Sequence, residues 1–355
     1  MFVLLLAVCV LPGLRIASRG QFQDDGFSRE QTRALKGVFA LVVLLHHLCA
    51  YLSAEFRSLL VFQYAGFISI GAFFFISGYG LHCSTEKNPH YLRGFFRRRM
   101  LAVLLPYYII NTFYCIIHCV EQDAPTALRY IVRSLFGLHL WYVPVMILLY
   151  AVFYLAHRFL PHRWAPAAVT ATTVLYMTGM YCLYRFGEFG AYGFWWYNSA
   201  IAFPLGIWYG RYRHAITSCL RRRYPLWAVG ALMGFILTYL WISPRHNNGT
   251  LSVLLMQILC VILFCLTLAV LSQKIRIDNP PLRFLGDHSF GIYLWHALFI
   301  ALFRSEYSLP IPGTGTAWIL FVENSDLYAA AVIASTLIAA WAVHSLCGRI
   351  LGKTK

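Results

Sequence analysis

Charge is scarce in this sequence, and negative charge scarcest: Asp and Glu together number 13 in 355 residues, and all charged side chains make up 12%. Against 60% hydrophobic and 17% aromatic residues, that leaves too little polar surface to clothe a soluble globule of this length. Metal-ligand spacing is also lacking. The ten cysteines are scattered through apolar stretches with no Cys-x-x-Cys pair, which indicates neither a zinc site nor a disulfide framework; Cys115 and Cys119, four apart, read as helix packing. No stretch outside the apolar runs is long enough for a second, soluble domain. The opening residues 1–10 are apolar but lack the basic start and small-residue cleavage site of a secretory signal, so they read as an interfacial anchor or a marginal extra span.

What is present is a series of apolar runs at 34–53, 59–82, 100–119, 139–157, 165–184, 191–210, 225–242, 251–272, 286–303 and 327–347. About 20 apolar residues cross a bilayer as helix, so the expected fold is all-α: a polytopic bundle of about ten transmembrane helices. The expected division is an N-terminal segment over 1–33, one membrane domain over 34–349 and a tail over 350–355. Ser28 followed by Gln31 forms a capping box before the first run. The formal charge of +16 would suggest nucleic acid in a soluble protein, but here the basic residues lie between spans, as the positive-inside bias requires, and nucleic acid is excluded as a partner. Of the 29 Lys and Arg, 22 fall in alternate connections beginning with 15–33, six in the opposite set, and one, Lys36, inside the first run. Both ends of the bundle are therefore expected in the cytoplasm. No internal repeat is visible, which counts against an inverted-repeat carrier.

Lys36 and His46-His47 are costly residues for a membrane interior. Translocon scales charge roughly 2.5–3.5 kcal/mol for an ionised Lys near mid-span, so such residues face protein or a water-filled cavity. Lys36 and His47 are eleven apart, three turns plus about 20° at ~100° per residue, which places them on one helix face about 16 Å apart, with His46 roughly 80° away. The bland alternative is a snorkelling lysine and two histidines bonded to neighbouring helices. Late in the chain His296 lies about 15 Å into its run, the same depth as His47. Three further stretches have two readings each. Gly71, Ser77, Gly78 and Gly80 suit close helix packing or approach of a ligand. Arg93, Arg97, Arg98 and Arg99 suit topology and anionic lipid, or a phosphorylated cofactor held at the cytoplasmic face. Trp141 and Tyr142 suit an interfacial belt, or the mouth of an acceptor site.

Taken together these stretches resemble the acyltransferase-3 family of integral-membrane O-acyltransferases. Lys36-Gly37 with His47 matches its first-helix pattern of a basic residue and a His eleven positions on, with Lys where Arg is commoner. Phe73-Phe-Phe-Ile-Ser77-Gly78 is similar to its Phe-Phe-x-x-Ser-Gly block, 95–108 to its basic segment before Pro-x-Tyr, Leu140-Trp141-Tyr142 to Leu-Trp-Phe, and Ser289-Phe-Gly-Ile-Tyr293-Leu-Trp-His296 to Ser-Tyr-x-x-Tyr-Leu-x-His. The resemblance implies transfer of an acetyl or other short acyl group from acyl-CoA, a co-substrate rather than a bound cofactor, to a hydroxyl of a glycan, lipid-linked sugar or secreted metabolite. It implies a multi-pass protein of the bacterial inner membrane. His47, Lys36 and His296 are then the catalytic candidates, the Arg93–Arg99 cluster the donor site, and Ser77, Trp141, Tyr142 and Tyr293 the substrate contacts. A neutral imidazole of ordinary pKa about 6.5 can deprotonate a hydroxyl or accept the acyl group itself. The competing class is a transporter or flippase of lipid-linked or anionic small molecules, with Lys36 and the histidines as its polar path; acyl-CoA consumption separates the two. The acceptor, the acyl chain and the oligomeric state are not written in the sequence.

Overall fold

The computed structural model describes residues 2–52, 54–119, 122–187, 193–304, 309–310, 317–318 and 320–352. The start of the 191–210 run and the tail from 353 onward lie outside the described residues. The chain forms an all-α bundle: α1 (Phe2–Val10), α2 (Arg29–Leu52), α3 (Gly66–Lys87), α4 (Phe95–Cys119), α5 (Ala124–Leu135), α6 (Tyr142–Phe159), α7 (Ala165–Phe186), α8 (Ala202–Arg211), α9 (Arg213–Arg222), α10 (Tyr224–Ile242), α11 (Leu251–Leu271), α12 (Pro280–Asp287), α13 (Ser289–Leu302) and α14 (Ser325–Ile350). Strand is limited to short pairs, of which β1 (Leu14–Ile16) and β2 (Ile275–Ile277) join antiparallel with Leu14 opposite Ile277.

Among the described residues seven helices are long and apolar enough to cross a membrane: α2, α3, α4, α6, α10 with the turn that follows it, α11 and α14. The remaining three apolar runs depart from the expected count of ten uniform spans, each for a physical reason. Although α7 has 22 residues, Thr170, Thr172, Thr173 and Thr178 dilute its apolar character. The 191–210 run becomes a 3-10 turn at Phe194–Trp196 followed by a helix of only ten residues, α8. The 286–303 run breaks at His288 between α12 and α13, leaving 14 residues, or about 21 Å at 1.5 Å each, against a hydrocarbon core of about 30 Å. The opening residues form α1, nine residues packed against α2 and α12, too short to span alone.

Because lipid tails are as apolar as leucine, helices in a bilayer are held together by close packing and polar cross-links rather than by the hydrophobic effect. Close packing is clearest at two pairs. A Cβ on Gly37 would collide with the Leu282 carbonyl and one on Gly286 with the Arg33 carbonyl, so α2 and α12 meet backbone to backbone. Gly78 and Gly206 do the same for α3 and α8, meeting the carbonyls of Phe203 and Phe75. The packing reading of the Gly71–Gly78 stretch therefore holds for Gly78, whereas Ser77 faces a cavity. Cross-links include Ser199 Oγ to Phe67 O at 2.7 Å, Trp208 Nε1 to Thr170 Oγ1 at 2.9 Å and the Tyr114 hydroxyl to Leu294 O at 3.2 Å. Each contributes on the order of 0.6 kcal/mol in a membrane.

The connections rich in Lys and Arg gather on one face. β1 pairs with β2; Arg221 bonds Gln273 Oε1 at 3.1 Å and Gln23 O; Arg211 bonds His162 O at 2.9 Å; and Arg213 lies 3.7 Å from Glu86. These bonds tie segments 15–33, 83–99, 158–163, 211–223 and 272–283 into a single basic face. On the opposite face, the Tyr64 ring packs at a tilt against His246, with centres 4.7 Å apart, and the Tyr176 hydroxyl donates to Trp196 O.

Candidate active site

Two cavities enter the bundle and share a wall. The first, about 310 Å³, begins near the basic face and is lined by Lys36, Ser77, Arg99, Tyr142, Tyr150 and Asp287, ending at Val43, Ile70 and Tyr293. The second, about 690 Å³, holds His46, His47, Trp141, Trp195, Asn198 and His246, and ends at the same Val43, Ile70 and Tyr293.

At the first cavity the Gly37–Gly286 approach sets the electrostatics. It brings the Arg33 guanidinium, as a two-pronged fork, onto both oxygens of Asp287. Burial raises the Asp287 carboxyl, but the bond to Arg33 and the charges of Arg33 and Lys36 outweigh it and hold the group below its ordinary value. Lys36 makes no hydrogen bond or ion pair of its own among the described residues, so its ammonium is available to an anion in the cavity. Arg99 enters from the other side, donating to the Tyr91 hydroxyl at 2.6 Å with its guanidinium 5.6 Å from the Tyr150 ring centre. The other three arginines do not line this cavity. Arg98 clamps the preceding turn, donating to Arg93 O and Tyr91 O at 2.6 Å each, and Arg93 and Arg97 are exposed on the basic face.

At the second cavity His47 and His296 meet, as equal depth allows, with ring centres 4.7 Å apart. His296 is 2% exposed; its Nδ1 lies 3.1 Å from Ile292 O, which fixes that nitrogen as the donor and leaves Nε2 with the lone pair and no hydrogen-bond partner. His47 sits deep in the bundle yet its ring is accessible, because a further cavity of about 300 Å³ with Tyr114, His118 and His139 in its walls touches it from another side. His46, placed off the Lys36 line by helix geometry, also reaches the second cavity, but its Nδ1 lies 3.0 Å from Phe62 O and its ring abuts Gly66. Trp141 faces the second cavity and Tyr142 the first, so the start of α6 lies at the shared wall. There the Tyr142 N–H donates to the Tyr293 hydroxyl oxygen at 3.3 Å.

The basic residue and histidine expected on one helix face are joined here by a second histidine ring, tilted 44° to the first, and by two cavities that share a wall beside them. A family model described as an acyltransferase domain matches residues 32–344, nearly the whole chain. The chain belongs to the acyltransferase-3 family. No curated protein and no solved structure matches it.

For this acyltransferase-3 protein, several cavity residues escape sequence reasoning. Tyr150 had a usable signal, since Tyr142, Met146 and Tyr150 follow at four-residue intervals along one face of α6, and all three line the first cavity. Asp287 had a weaker one, an acidic residue next to Gly286 in a chain short of acid. Asn198, Gln257 and His246 had none. They come together only through tertiary contacts, Asn198 Nδ2 to Gln257 Oε1 at 3.0 Å and Gln257 Nε2 to His246 at 3.4 Å.

Proposed function

We propose that this membrane acyltransferase moves an acetyl or other short acyl group from cytoplasmic acyl-CoA to a sugar hydroxyl presented from the other side of the bacterial inner membrane, with its C-terminus in the cytoplasm. The observation that carries this reading is the pair of cavities that approach from opposite faces and meet at Val43, Ile70 and Tyr293, beside His47. The first cavity, at about 310 Å³, is at the small end of ligand pockets. It suits the acylated end of the donor, with the nucleotide left on the basic face near Arg93 and Arg97. Lys36 and Arg99 line the way in and attract an anionic donor. The second cavity combines aromatic faces, Trp141, Trp195 and Tyr64, with the amides of Asn198, Asn247 and Gln257. Aromatic faces cover the C–H surface of a sugar ring and amides pair with its hydroxyls, which favours a glycan or lipid-linked sugar as acceptor.

His47 acts at the junction as general base, taking the proton of the acceptor hydroxyl as its oxygen attacks the thioester carbonyl, or as the group that carries the acyl chain between donor and acceptor. His296, its ring packed at a tilt against that of His47, holds it in place. Transport of an intact solute along the same path is not favoured by membership of an acyltransferase family. The test is release of free CoA by the purified protein given acetyl-CoA and a candidate sugar acceptor, with the product identified by mass spectrometry. Acceptor-dependent release that disappears in His47→Ala supports the reading; no release from folded wild-type protein across a panel of donors and acceptors sinks it.

A further inference from the structure

Five tyrosines of this bundle satisfy their hydroxyls in one way, and Tyr293 does so in another. Tyr107, Tyr108, Tyr114, Tyr176 and Tyr328 each point the hydroxyl at a backbone carbonyl, those of Ser134, Leu135, Leu294, Trp196 and Ile300, and donate to it. That is how a structural tyrosine satisfies its O–H in a membrane interior. The Tyr293 oxygen instead accepts, from the Tyr142 backbone N–H at 3.3 Å, and no described residue accepts its proton. It also stands in the wall common to both cavities, where donor and acceptor would have to meet.

The group that polarises it is not neutral in effect. Tyr142 is the first residue of the 18-residue helix α6, so its N–H is one of the unsatisfied donors at the positive end of a helix dipole. A hydroxyl that accepts such a bond becomes a better donor through its own hydrogen. The tyrosine ring lies 5.0 Å from that of Tyr142 and 5.9 Å from that of His296, which in turn lies 4.7 Å from His47. Lys36, on the same helix face as His47, stands about 16 Å from it along the helix, toward the basic end of the first cavity.

We propose that Tyr293 is the oxyanion donor of the reaction, hydrogen-bonding the thioester carbonyl oxygen of the bound acyl donor as negative charge develops on it. The assignment rests on the acyl-transfer reading above. Written with His47 as base, the acceptor oxygen bonds the carbonyl carbon, its proton passes to His47, and the carbonyl electron pair moves onto the oxygen held by Tyr293. Collapse re-forms the carbonyl and breaks the C–S bond; the thiolate leaves into the first cavity and takes the proton back from His47. A hydrogen bond offered at the site of developing charge acts in the transition state more than in the ground state, so its loss belongs in kcat rather than in KM.

The experiment compares wild type, Tyr293→Phe and protein carrying fluorinated tyrosines at 293, all checked for monodispersity and thermal stability. Tyr293→Phe is expected to lower kcat by about 10²–10³-fold with KM for acetyl-CoA little changed. The fluorotyrosine series is expected to shift kcat in step with phenol acidity, a readout that ring packing alone would leave flat. A Phe variant that keeps wild-type kcat, one that changes only KM, or a flat fluorotyrosine series overturns the assignment while leaving acyl transfer intact. A folded wild type that transfers no acyl group overturns the acyl-transfer reading, and the tyrosine assignment with it.

Discussion

His46 and His47 are adjacent imidazoles with the same chemistry and different surroundings. His46 is engaged at Nδ1 by Phe62 O, whereas the ring of His47 is accessible from two cavities and lies against that of His296, tilted 44° to it. General-base contributions are typically 10²–10⁴-fold. His47→Ala is therefore expected to abolish measurable acyl transfer in a folded protein, and His46→Ala to retain a substantial fraction, measured as CoA release by each purified variant. A larger loss for His46 would mean that the other imidazole faces the reacting atoms. His296→Ala is expected to cost at least tenfold, about 1.4 kcal/mol in the barrier, with normal monodispersity. Lys36→Arg is expected to be tolerated better than Lys36→Ala, because the positive charge lining the cavity survives the first substitution and not the second. Equal activity of the two would remove the charge from the argument. The shared helix face of Lys36 and His47 and the equal depth of His47 and His296 were legible from helix arithmetic; that the two imidazoles meet, and which ring nitrogen carries the lone pair, were not, since both depend on packing that only the fold supplies.

Helices α2 and α12 form the element that aims the first cavity, and glycine is the reason they can approach so closely. A side chain at Gly37 or Gly286 meets backbone carbonyls that cannot turn aside. Gly286→Leu is expected to lower the thermal stability of the detergent-solubilised protein, overpacking costing on the order of 1–3 kcal/mol, and to loosen the Arg33–Asp287 pair. Unchanged melting would show that α2 and α12 are not held together there. That pair also gives a pH dependence. The folded Asp287 value is lowered, so its contribution to stability is present above the unfolded value of about 3.9 and is lost as pH falls through the lower folded value. Asp287→Asn should accordingly melt below wild type at neutral pH, with the gap closing as the solution is acidified below about pH 4. A gap constant with pH would assign the loss to packing.

At the scale of the whole molecule the asymmetry of charge is the testable feature. Cysteines introduced in 93–99 and 211–223 are expected to be protected from an impermeant thiol reagent in intact cells and labelled after lysis, while one at Asn247 should label before lysis. Labelling of the first two in intact cells would invert the bundle. The order of the apolar runs, the all-α class and the clustering of basic connections were decided by the sequence, because a bilayer makes the requirement on every span local: enough apolar residues, helical hydrogen bonding within the segment, and Lys and Arg left at one side. Helix periodicity likewise put Lys36 and His47 on one face. How many spans run as unbroken helices was not local. The break at His288 and the 3-10 turn before α8 arise where the chain is buried by neighbouring helices and need not satisfy itself alone. The meeting of the two cavities at Val43, Ile70 and Tyr293 joins α2 and α3 to the distant α13, and the Tyr142 N–H that donates to the Tyr293 hydroxyl lies 151 residues from it. Such a junction has no signature in any one segment, since it is made by side chains whose directions only the packing of α2, α3, α6 and α13 fixes.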